Sequence, residues 1–100
     1  MHERRGHRHE SDVLLRQLDG HLARLKAKDG NHLALAERIA EHLRQLIADT
    51  GKSSAVDRAR VRAAVHYFLV RPVHLGLWMV NDIFRDLGRH DLLIPEPALS

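Results

Sequence analysis

The sequence predicts an all-α fold, a four-helix bundle or a related orthogonal helical domain with a mobile N-terminal arm and an extended C-terminal tail. Three observations lead there. Apolar residues recur three and four positions apart through most of the chain, the spacing that lines one side of a helix. No stretch alternates polar and apolar residues as a half-buried strand does. The periodic segments are separated by short connections carrying Gly, Ser or Pro, and short connections favour antiparallel neighbours.

The chain of 100 residues is long enough for one domain and too short for two cores. Hydrophobic residues make up 44% and charged residues 29%, a balance that belongs to a folded protein and not to a disordered one. Cysteine is absent, which excludes disulfides, thiolate metal sites, iron–sulfur clusters and cysteine nucleophiles.

Residues 1–10 have no apolar period and are expected to form a flexible His/Arg-rich arm. A single helical domain is expected over 11–88, with helices at about 12–28, 32–49, 54–70 and 72–87. Ser11 or Asp12 can cap the first helix, whose stripe is Leu14, Leu15, Leu18, Leu22 and Leu25. Asp29-Gly30-Asn31 ends it, with Gly30 suited to a left-handed stop and Asn31 to the next cap. The second helix carries the seam Ala36, Ile39, Ala40, Leu43, Leu46 and Ile47, and Thr50-Gly51 stops it.

Ser53 or Ser54 opens the third helix, and Ser54-x-x-Asp57 resembles a capping box. Val61, Ala64, Val65 and Phe68 form its stripe. Arg71 precedes Pro72, and a residue before proline is pushed out of the helical region, so the chain breaks or kinks there. Pro72 suits the first position of the fourth helix, which carries Val73, Leu77, Val80, Phe84 and Leu87 and closes at Gly88. Residues 89–100, with Pro95 and Pro97, are expected to be an extended tail.

The last two helices are apolar almost all round, from Tyr67 to Val70 and again through Leu75, Leu77, Trp78, Met79 and Val80. Such a helix needs cover on every side, and a chain this short has little to supply it. The surplus predicts a self-associating interaction or regulatory module, a homodimer that can also engage another protein. Val65, Phe68, Leu77, Trp78 and Phe84 are the expected contact residues, with Trp78 as the anchor because large aromatic side chains dominate interfaces.

Charge suggests an alternative. Residues 52–71 hold Lys52, Arg58, Arg60, Arg62 and Arg71 against Asp57, a net +4. Residues 72–100 hold Asp82, Asp86, Asp91 and Glu96 against Arg85 and Arg89, a net −2. The basic block can bind nucleic acid through Lys52, Arg58, Arg60 and Arg62, or it can pair with the acidic block. The second helix, the Gly51 turn and the third helix have the outline of a helix-turn-helix, although Ile47 and Asp57 fit that motif's small and aliphatic positions poorly. All four aromatic residues lie in the apolar segment, which leaves no evident base-stacking surface.

Nine histidines raise the question of a metal or haem protein. No two of them are three or four apart, so no helical face presents a ready pair. His7, His9 and Glu10 are close but lie in the expected arm, and a site gathered from His42, His66 and His74 would need several helices. His66 and His74 fall in the most apolar region and are expected to be hydrogen-bonded core residues, with a pH switch at the subunit contact as the sharper reading. No cofactor and no metal site are predicted.

Catalysis is not predicted either. Ser11, Thr50, Ser53 and Ser54 sit where capping explains them, and Asp82 with Asp86 reads as a solvated face. Gly51-Lys52-Ser53 resembles the end of a phosphate-binding loop, but position 46 is Leu and no strand precedes it. Residues 63–80 are interrupted by His66, Arg71, Pro72 and His74, so no membrane span is expected. With no apolar run behind Met1–Glu10, a cytoplasmic protein is expected.

Overall fold

The computed structural model describes the backbone of residues 2–28 and 32–96, and the side chains of residues 10–28 and 32–96. Four helices follow one another: α1 (His2–Lys28), α2 (Leu33–Thr50), α3 (Ala55–Val70) and α4 (Val73–Asp86). A short 3₁₀ turn, η1, covers His90–Leu92. The all-α prediction is therefore met. The most extensive contact is between α3 and α4, followed by α1 with α2. α2 also packs on α3, and α1 makes little contact with α4.

The second helix shows why periodicity predicts packing. All six residues of its expected seam, from Ala36 to Ile47, are buried in the core. Ala36 and Ala40 are small, which lets neighbouring backbones come close. In α3 the expected stripe of Val61, Ala64, Val65 and Phe68 is also buried. In α1, Leu14 and Leu18 are buried, while Leu15, Leu22 and Leu25 pack partly against the core.

The boundaries show where local chemistry decides. Ser54 caps α3, its hydroxyl oxygen accepting from the Asp57 amide at 3.2 Å. Arg71 is extended at φ −106°, ψ 154°, and its amide still donates to the Tyr67 carbonyl at 3.0 Å. The break before proline is thus as expected. Pro72 sits one place earlier than predicted, as the residue capping α4, because its carbonyl takes the first helical bond from Gly76. Gly88 has φ +74°, and the Gly88 and Arg89 amides donate to the Arg85 and Phe84 carbonyls at 2.9 and 2.8 Å. This is the Schellman ending, which only glycine adopts without strain.

Three expectations are corrected. Helix α1 runs back to His2, so Ser11 and Asp12 lie inside it and do not cap it. Extending an existing helix is far cheaper than nucleating one, and Glu, Arg and His are compatible with it. Residues 89–96 do not form an extended tail. They turn back at Gly88 and bury Leu92 and Ile94 in the core. His66 and His74 are exposed, because the buried stripe of α3 passes through Ala64, Val65 and Phe68 and that of α4 through Leu77, Val80 and Phe84. The Asp29-Gly30-Asn31 stop and residues 97–100 lie outside the described residues, and the residue capping α2 is His32.

Candidate interaction surface

Helix α4 buries one side and leaves the other open. Leu77, Val80, Ile83 and Phe84 face inward with Gly76 and Asn81. A helix turns about 100° per residue, so Leu75, Trp78 and Asp82 fall on the opposite side. Trp78 is 62% exposed and Leu75 53%, and Val70 at the end of α3 is 56% exposed. Among the described residues the other large exposed apolar one, Val56, lies at the far end of α3. An uncovered indole stands out in a fold that covers both phenylalanines.

Four of the five predicted contact residues are not on this surface. Val65, Phe68, Leu77 and Phe84 are buried within a single chain, where they form the α3–α4 core. They cannot form an external contact while the domain is folded. Of the predicted set only Trp78 is exposed. The exposed residues that sequence reasoning missed are Leu75, one turn before Trp78 on α4, and Val70, at the end of α3. The all-round apolarity of these helices carried the signal but could not say which half would be covered.

Beside Trp78 runs an open groove of about 530 Å³. One wall is α4, with Trp78, Asn81, Asp82 and Arg85, and the other is the returning segment from Leu93 to Glu96. Asn81 sets that second wall. Its side-chain amide donates to the Ile94 carbonyl at 2.8 Å and accepts from the Ile94 amide at 3.0 Å. The His42 imidazole donates from Nδ1 to the Leu92 carbonyl at 2.6 Å. Arg89 bonds Asp49 at 2.8 Å and Asp91 at 2.9 Å. The Gln45 amide and then Arg89 hold the Asp49 carboxyl below its usual range, Arg89 does the same for Asp91, and both carboxylates raise Arg89 in turn.

Three cations of the basic block, Arg58, Arg60 and Arg62, are engaged within the chain. Arg62 pairs with Glu10 of α1 at 3.2 Å, and Arg60 with Asp57 at 3.8 Å. Arg58 donates to the Ser53 carbonyl at 3.2 Å. Lys52 is exposed in the α2–α3 turn. Asp82 and Asp91 take Arg85 and Arg89, so these carboxylates are matched within their own segment and not with α3. A phosphate-reading face would have to break pairs that already exist.

The histidines are dispersed. His42 sits on the Leu92 carbonyl, His66 lines a separate groove with Leu69 and Glu10, and the His74 ring meets that of His32 edge-on at 4.8 Å. Among the described residues no three His, Asp or Glu side chains are placed to hold a metal ion, so His42, His66 and His74 do not converge. Among the described residues, too, no helix is long and apolar enough to cross a membrane. His21 is half-buried and edge-on to Phe68 at 5.1 Å. Burial, and then nearby Arg24, lowers its pKa below 6.5. In comparisons with known proteins, no family model matches the chain, and no curated protein or solved structure matches it.

Proposed function

We propose that this chain is a small helical interaction module that acts by binding, and that it pairs with a second copy of itself through the outer face of α4. The observation that carries the reading is the exposed Trp78, with the exposed Leu75 one turn before it on the same face of α4. Burying such side chains removes apolar surface from water, worth about 25 cal/mol per Å². An indole at the centre of a contact is the residue type that most often anchors one.

Sedimentation over a concentration series tests the proposal, with a dimer expected for the natural chain. Trp78→Ala should weaken that dimer by about 2 kcal/mol, roughly 30-fold in Kd. The domain should stay folded, because the indole is mostly outside the core. A natural chain that stays monomeric at every concentration refutes the reading.

A further inference from the structure

We infer that the second copy docks antiparallel, so that the α3–α4 corner of each protomer lies over the groove of its partner. This rests on the proposed self-association and specifies its geometry. Two independent features of the α4 surface point the same way.

The first is charge. The corner end of the surface carries Arg71, with His74 close behind. The far end carries Asp82 and Asp86 against the single guanidinium of Arg85, which bonds Asp82 at 2.9 Å, and Glu96 lines the adjoining groove, while Arg89 is engaged by Asp49 and Asp91. The surface is therefore positive at one end and negative at the other. Antiparallel docking sets positive over negative twice, once on each side of a two-fold axis. Parallel docking sets like over like at both ends.

The second is shape. Val70 and Leu75 project at the corner end. The groove between α4 and the returning segment opens at the other end, past Trp78. In an antiparallel pair each protrusion meets a groove. In a parallel pair protrusion meets protrusion and both grooves stay unfilled. The spacing is symmetric as well: Arg71 lies four residues before Leu75, and Asp82 four residues after Trp78. A two-fold axis between Leu75 and Trp78 brings Arg71 of one protomer alongside Asp82 of the other.

The chain has no cysteine, so Arg71→Cys and Asp82→Cys each give one reactive thiol at an exposed position. The helical part alone, nine residues from Val73 to Asp82 at about 1.5 Å each, spans roughly 14 Å, further than a short bismaleimide reaches. Mixing the two variants should give a covalent heterodimer, and either variant alone should give little product. Homodimers from each variant alone would overturn the orientation, and so would no product from a chain that still sediments as a dimer. A monomeric natural chain would instead overturn the self-association itself.

Charge exchange supplies a second readout. Arg71→Glu and Asp82→Lys should each weaken the dimer about fivefold, since two symmetry-related exposed pairs are lost. The double variant should recover most of the affinity. Additive weakening in the double variant refutes the pairing. Circular dichroism confirms that each variant keeps its helices.

Discussion

Replacing Asn81 with Ala tests how the returning segment is held. Asn81 is 7% exposed and makes two hydrogen bonds to the backbone of Ile94, at 2.8 and 3.0 Å. Both go to one peptide-like amide, so one substitution removes both. A hydrogen bond contributes about 1 kcal/mol net, and stranding a buried partner costs about 1–3 kcal/mol. Losing both while Ile94 stays buried should therefore destabilise the fold by about 2–4 kcal/mol. In a domain of this size that lowers Tm by roughly 8–16 °C. Urea unfolding followed by circular dichroism measures it. The companion experiment ends the chain at Gly88, where the segment is absent and Asn81 has lost its acceptor and donor. There Asn81→Ala should be nearly neutral. A loss below about 0.5 kcal/mol in the full chain, or an equal loss in both backgrounds, refutes the idea that Asn81 acts by pinning Ile94.

Two further perturbations follow from the packing. Because burial holds His21 below 6.5, the unfolded chain takes up a proton that the folded chain refuses. Its contribution is thus intact above 6.5 and declines as pH falls through 6.5 towards the lowered folded pKa. Urea melts from pH 7.5 to 5.5 should show His21→Phe losing less stability than the natural chain, and parallel curves would remove the argument. At Gly76, an added Cβ would lie 3.5 Å from the Tyr67 carbonyl oxygen and 3.6 Å from the Phe68 Cα, ordinary contacts. Gly76→Ala should hold or raise stability by up to about 0.8 kcal/mol through helix propensity. Gly76→Leu should push α4 off α3 and cost about 1–3 kcal/mol, as thermal melts of the two variants would reveal.

Local sequence pattern by itself determined the four helices, the buried seams of α2 and α3, the break at Pro72 and the end of α4 at Gly88. Each of these depends on residues within a turn or two of one another, so the spacing of Ala36, Ile39, Ala40 and Leu43 already contains the answer. Tertiary structure alone decided which half of the apolar α4 would be covered. Leu77 and Trp78 are neighbours in sequence and both apolar, yet the first is core and the second stands in solvent. The difference is that α3 packs against one side, while among the described residues none covers Trp78 on the other. It also decided the fate of the C-terminal segment, because Asn81 meets Ile94 and His42 meets Leu92 across 13 and 50 residues. Arg62 likewise met Glu10 across 52 residues, which turned a run of positive charge into part of the scaffold. Partners so distant along the chain leave no local pattern, and only the packed arrangement of helices brings them within bonding distance.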